Sequence, residues 1–257
     1  MANILALHAH PDDVETLAAG TLALLASLGH RISIVTATGG DCGSETLSLE
    51  DASRLRQSEA ARAAALIGAD YRCAGLPDLG VFNDDGSRRR ITEMVRWSSA
   101  DIVLAPSPVD YHPDHEAVSV LVRDACFAST VPNYVTGEAP PLAAIPHLYW
   151  VDPIGGRDRE GKRIRPDFGV DITPWIETKS RMLLCHESQH AWVAKQHGEA
   201  DYLDSMRGFS AYQGRVFGTA FAEGFRQYRN TPYPRSLRLQ ELLGDAAKDW
   251  PAPAASV

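Results

Sequence analysis

Three histidines and three aspartates of this chain fall into two short segments, His10-Pro11-Asp12-Asp13 and His112-Pro113-Asp114-His115. Imidazole and carboxylate are ligands for a divalent cation such as Zn2+. His10 and Asp13 stand three residues apart, so in a turn entering a helix their side chains converge on one point. His115 reaches the same point if the second segment neighbours the first. Two imidazoles and one carboxylate hold a tetrahedral cation and leave its fourth position to water, the catalytic rather than the structural arrangement. The cation lowers the pKa of that water from 15.7 to about 7. A base must still take the proton. Asp12 adjoins Asp13 but is turned from it by about 100° at the helical 3.6 residues per turn, so it is expected beside the metal as that base. His112, if charged, is expected to stabilise a tetrahedral oxyanion or to protonate a leaving amine. Asp114 is expected to orient one of the histidines.

The same residues also suit helix starts, because Asp is a good N-cap and Pro a good first helical residue. Capping alone does not call for two such segments with three histidines among eight residues.

The elements around the segments set their positions. Ile4–His8 reads as a strand, Val14–Leu28 as a helix closed by Gly29, and Arg31–Thr38 as a second strand. Leu49–Ile67 is an amphipathic helix stopped at Gly68, and Ala69–Cys73 a short third strand. Ser87–Ser99 is helical, Asp101–Ala105 a fourth strand and Asp114–Phe127 the next helix. This alternation predicts an α/β fold with a mostly parallel sheet and helices on both faces. Both chemical segments then follow strands directly, and ligands bind beyond the carboxyl ends of such strands. Farther on, Ser129–Pro146 reads as an excursion or lid, His147–Val151 as a strand, and Asp152–Pro166 as a loop or hairpin. Pro174–His186 and Ala220–Tyr228 read as helices, and the tail from about residue 250 as frayed.

The chain has 257 residues, 44% of them hydrophobic, enough to bury a core in one domain. Its net charge is −8, and basic residues gather only at Arg88-Arg89-Arg90 and in the loop Arg157 to Arg165, so nucleic acid is not expected as a partner. Apolar runs are too short to span a membrane, and no leader pattern precedes Ile4, so a cytoplasmic protein is expected. Cys42, Cys73, Cys126 and Cys185 lie too far apart for a thiolate cluster. His8, inside the first strand, is expected to be a hydrogen-bonded core residue. His186, His190 and His197 could share a helix face, but no carboxylate is clearly placed to make a second metal site with them. Trp150, Trp175 and Trp192 suit either the core or stacking on a sugar ring. Gly39-Gly40-Asp41-Cys42-Gly43 lacks a phosphate-loop lysine and is expected to border the site.

Taken together, these segments resemble the LmbE-like, or PIG-L, family of zinc-dependent N-acetylglucosaminyl deacetylases. Leu5 to Asp13 is similar to the family's opening strand and HPDD, and Ala19-Gly20-Thr21 to its glycine-rich helix start, with Ala19 in place of a first glycine. Val35 to Gly40, Arg56-Gln57-Ser58-Glu59, Leu76-Pro77-Asp78 and His112 to His115 also match, and the resemblance covers about the first half. His186 to Gln189 and Ala222 to Phe225 resemble weaker C-terminal features, and 129–169 matches nothing in the family. The resemblance implies a Rossmann-like fold, a single deacetylase domain over 1–257 with a variable excursion at about 129–169, and a small amino-sugar or glycoside substrate. It implies zinc on His10, Asp13 and His115, with Asp12 as base and His112 beside the intermediate. It also assigns Arg56 and Asp78 to the sugar. Without it, Arg56 and Glu59 would read as a surface ion pair worth roughly 0.3–0.5 kcal/mol. An amide hydrolase for another N-acyl small molecule and a non-catalytic sugar- or nucleotide-binding module are the alternatives, and a homo-oligomer stays open.

Overall fold

A computed structural model of the chain describes residues 1–190, 195 and 202–251. The calls on Trp192, His197 and the end of the tail lie outside them. The expected alternation appears as β1 (Asn3–His8), α1 (Asp13–Leu17), α2 (Ala19–Ser27), β2 (Arg31–Thr38), α3 (Leu49–Ala65) and β3 (Asp70–Leu76). It continues as α4 (Asp85–Trp97), β4 (Ile102–Ala105), α5 (Pro113–Ala128) and β5 (His147–Val151). Strands β3-β2-β1-β4-β5 run parallel in that order. The sheet therefore reverses direction of travel between β1 and β4, the switch point where α/β sheets open a crevice.

Side chains of β1 alternate between two cores. Ile4 and Ala6 pack with Leu22 and Leu25 of α2 and Ala63 of α3. Leu5 and Leu7 pack on the other face with Ile91 and Val95 of α4 and Val118 and Leu121 of α5. The helix expected over Val14–Leu28 is broken at Ala18, whose φ of −136° leaves the helical region. The break lets the Glu223 carboxylate accept bonds from Gly20 N (2.9 Å) and Thr21 N (2.8 Å) at the start of α2. Gly20 is required there, because a Cβ would sit 2.7 Å from Ile172.

Past β5 the sheet turns antiparallel. β6 (Phe168–Asp171), β7 (Ala222–Tyr228) and β8 (Ala247–Asp249) complete the order β5-β7-β6-β8. The helix expected at Ala220–Tyr228 is thus a strand. It lies between β5 and β6 with Ala222, Glu223, Gly224 and Phe225 all buried, so the alternation that marks a half-exposed strand is missing. Besides the expected α6 (Ile176–Leu184), the chain forms α7 (Tyr202–Phe217) and α8 (Arg238–Leu243). Among the described residues no helix is long and apolar enough to cross a membrane.

Candidate active site

The β1 end and the β4 end deliver the two histidine segments to one place. His10 Nδ1 lies 3.3 Å from His115 Nε2 and 3.5 Å from Asp13 Oδ2, and His115 Nε2 lies 3.3 Å from Asp13 Oδ1. Donors 2.0–2.2 Å from a tetrahedral cation stand about 3.3–3.6 Å apart, a range that the His10–His115 pair meets and that each ring also meets with one of the two Asp13 oxygens. Their electrostatics agree. Burial works to lower the pKa of His10, but the surrounding Asp114, Asp13 and Asp78 hold it well above the usual imidazole value. Burial likewise opposes the rise of His115, and Asp13 and Asp110 carry it to about 9. The carboxylates thus draw positive charge onto this cluster, and a divalent cation answers the same demand.

Carboxylates also face the outer nitrogens. His10 Nε2 lies 3.1 Å from Asp78 Oδ1 and 3.3 Å from Asp114 Oδ2, while Leu79 N donates to that same Asp114 oxygen at 2.7 Å. His115 Nδ1 lies 3.1 Å from Asp110 Oδ1, which also accepts from His112 N. Asp110 was missed in the sequence; its signal was a carboxylate five residues before His115 in the same loop.

Asp12 sits at the N-cap of α1 but makes no side-chain capping bond. Its φ of 106° is left-handed, a conformation that costs a non-glycine residue roughly 1–3 kcal/mol. The two aspartates therefore diverge through this backbone turn, not through the helical rotation expected from their offset. Asp12 Oδ1 lies 3.3 Å from Arg56 Nη2, and Tyr202, whose hydroxyl is 3.2 Å from Thr16 Oγ1, borders the same cavity. Burial pushes the Asp12 carboxyl up, against the pull of Arg56. His112 does cap its helix, its Nδ1 accepting from Asp114 N at 3.2 Å. A neutral His112 therefore carries its proton on Nε2. Burial, then the neighbouring His10 and His115, lower its pKa, which favours this neutral donor over the charged acid.

Arg56 and Asp78 line the cavity, but the protein occupies both. Arg56 is 5% exposed and also donates to Gly40 O (3.0 Å) and Pro11 O (2.7 Å). Asp78 accepts from Cys42 N (3.2 Å) besides facing His10. Glu59 does not pair with Arg56 as a surface reading would have it. It is buried and accepts from Ser188 N (2.9 Å) and Ser188 Oγ (2.6 Å). His8 is buried, and neither of its ring nitrogens has a hydrogen-bond partner among the described residues, contrary to expectation. His186 faces Glu15 at 3.5 Å behind the site.

The cavity above these groups measures about 880 Å3, toward the upper end of the roughly 300–1,000 Å3 usual for small-molecule sites. Cys42 and Gly43 border it, as expected for their loop. Its far wall comes from α7, through Tyr202, Met206, Phe209 and Tyr212, and from Ile154 to Arg157. The α7 residues recur at helical spacing, a signal present in the sequence but not read there. The loop 129–146, expected as an excursion or lid, is tied to α4, with Glu138 N and Ala139 N both 3.0 Å from Glu93 Oε1.

Comparisons with known proteins bear on what this arrangement does. The family profile described as PIG-L: GlcNAc-PI de-N-acetylase matches residues 5–126. A diacetylchitobiose deacetylase of Thermococcus kodakarensis is 26% identical over 87% of this chain and 82% of its own length. A 2'-N-acetylparomamine deacetylase of Streptomyces fradiae is 29% identical over 70% of this chain and 71% of its own. The fold is shared with GalB, the 4-carboxy-2-hydroxymuconate hydratase of Pseudomonas putida KT2440. That likeness has a TM-score of 0.74 at 22% identity, covering 92% of this chain and 100% of that one.

Proposed function

We propose that the chain is a member of the PIG-L family, whose profile matches residues 5–126, and that it is a zinc-dependent hydrolase removing the N-acetyl group of an amino sugar or its glycoside. The observation that carries this reading is the trio His10, Asp13 and His115, its donor atoms 3.3–3.5 Å apart on the floor of the cavity. Two imidazole nitrogens 3.3 Å apart and a carboxylate with one oxygen beside each of them suit zinc, although other divalent metals can take such a site in vitro. When bound, the cation supplies Lewis acidity and makes a water acidic enough to react near neutral pH.

The chain's own residues supply the remaining steps. Asp12 takes the proton of the attacking water and can return it to the leaving amine. Arg56 holds that carboxylate and ties its loop to the main chain at Pro11 and Gly40. The Nε2–H of His112 donates to the oxyanion that forms on the acyl carbon. Asp78 and Asp114 on His10, and Asp110 on His115, keep the ligand rings turned inward. Arg56 and Asp78 thus support the machinery, and Asp78 also borders the sugar's space.

The test measures metal content together with amine release from a panel of N-acetyl amino sugars and their glycosides. One zinc per chain, lost in both His10→Ala and His115→Ala, is expected, with free amine from at least one panel member. Full metal occupancy in both variants would sink the ligand assignment. Amine release from other N-acyl amides but from no sugar would move the chain to the broader amide-hydrolase reading.

A further inference from the structure

Beyond its polar floor, the cavity is lined by apolar side chains from four places in the fold. The loops after β3, β4 and β5 bring Leu79, Tyr111 and Ile154, and α7 brings Met206, Phe209 and Tyr212. Leu79 is 62% exposed, Tyr111 54% and Ile154 40%. These three and Tyr212 belong to neither hydrophobic core, so core packing does not account for them. Single exposed leucines are ordinary on a surface, but an apolar lining beside a reactive site is a binding feature. Tyr111 stands next to the machinery, its ring centre 5.8 Å from that of His112 and 5.6 Å from that of His115, both edge-on. Leu79 has a left-handed φ of 57°, and its N donates to Asp114 Oδ2 at 2.7 Å. That backbone suits glycine or asparagine, so folding alone does not select leucine there.

The polar side chains around the same space are largely taken. Thr16 Oγ1 lies 3.2 Å from the Tyr202 hydroxyl, and Gln189 Nε2 donates to Gly43 O (3.2 Å) and Ser188 Oγ (3.0 Å). Arg157 Nη1 donates to Gly161 O at 2.7 Å. A second sugar ring buried here would bring several hydroxyls to these occupied groups, and buried hydroxyls left unpaired are costly. An apolar ring makes no such demand and gains by leaving water.

We propose that Leu79, Tyr111, Ile154, Phe209 and Tyr212 form a subsite for an apolar ring in the aglycone of the substrate. The inference rests on the amino-sugar reading above. It narrows the substrate to an N-acetylated amino sugar joined to such a ring rather than to a second sugar. A cavity of about 880 Å3 suits a ligand of that size.

The test compares the methyl and phenyl N-acetylglucosaminides with the disaccharide in which a second N-acetylglucosamine replaces phenyl, in matched anomers. Amine release gives kcat/KM for the zinc-loaded enzyme. Calorimetry on zinc-loaded Asp12→Asn at several temperatures gives the affinity and heat capacity of binding without turnover. Phenyl is expected to exceed methyl by at least about tenfold in kcat/KM, chiefly through KM, and to bind with a more negative heat-capacity change. The gain should persist in high salt, because no charge carries it. It should fall by roughly threefold or more in Leu79→Asn/Ile154→Asn, two loop positions outside both cores. Equal kcat/KM for phenyl and methyl, a disaccharide that outperforms phenyl, or a gain unchanged in the double variant each overturns the subsite. Release of no amine from any of the three would count against the deacetylase reading, and the binding order from calorimetry then decides the subsite by itself.

Discussion

Asp12 and Asp13 are neighbours with the same side chain, and the backbone between them gives them different work. The left-handed φ of Asp12 turns its carboxylate toward Arg56, while Asp13, in the first turn of α1, closes on His10 and His115. Asparagine tolerates left-handed backbone nearly as well as aspartate, so Asp12→Asn should keep the loop's shape and lose only the proton acceptor. Its kcat is expected to fall by about 10²–10⁴, the usual contribution of a general base, with zinc content unchanged. Asp13→Asn should instead weaken metal binding, with activity partly restored by added zinc. Metal affinity and kcat measured side by side decide this; loss of metal in Asp12→Asn with retention in Asp13→Asn would exchange the two roles. That His10, Asp13 and His115, the proposed ligand trio, come together was legible in the sequence because three donors of the right type flanked strand ends. The partners of those ligands were less so. Asp110 and Tyr202 approach the site only through loop and helix packing, and Arg56 is spent on the main chain in a way that spacing along α3 cannot reveal.

At the scale of elements, the site depends on the switch point between β1 and β4, and on how the helices behind it are held. The N-terminus of α2 is fastened to β7 by one side chain. Glu223 is 3% exposed and accepts from Gly20 N, Thr21 N, Thr21 Oγ1 (2.6 Å) and Lys179 Nζ (2.7 Å). Lys179 is 1% exposed, so removing Glu223 would strand a buried ammonium. Glu223→Ala is expected to cost about 3–5 kcal/mol of unfolding free energy in urea, with part recovered in Glu223→Ala/Lys179→Met. A loss below about 1 kcal/mol would mean that water reaches Lys179 and that the pair is not the fastening described. The same residues show why the sequence was misread here. Alanine, glutamate, arginine and glutamine in Ala222–Gln227 favour helices, and only burial between β5 and β6 makes this segment a strand. By contrast, β1, β2 and β4 announced themselves because β-branched and leucine runs alternate there with well-stopped helices.

For the whole molecule, the first half was readable because each strand–helix unit is local, whereas β6, α7 and β8 gain their meaning from partners far along the chain. One joint between the halves should respond to pH. Asp152 directly follows β5, carries the loop that reaches Arg157, and meets β7 through a backbone bond of Asp152 N to Gly224 O (3.0 Å). Its carboxylate takes a bond from Gln213 Nε2 of α7 (3.0 Å) and lies 3.6 Å from Arg226 Nε. Burial raises its pKa to about 6, and Arg226 only partly offsets that. A carboxyl whose folded pKa is above its unfolded value favours folding most when it is protonated. That contribution is complete below the ordinary carboxylate pKa near 4 and is lost as pH rises through about 6. A shift of this size corresponds to about 2–3 kcal/mol. Asp152→Asn has no proton to lose, so relative to it the natural protein should lose stability between about pH 4 and 7 and change little above that. Urea unfolding of both proteins across this range, with zinc saturating, gives the difference directly. A difference that stays flat with pH would show that Asp152 titrates in the fold as it does in the unfolded chain. A difference that grows in favour of the natural protein as pH rises would mean that Arg226 outweighs burial, and that the joint is a stabilising ion pair.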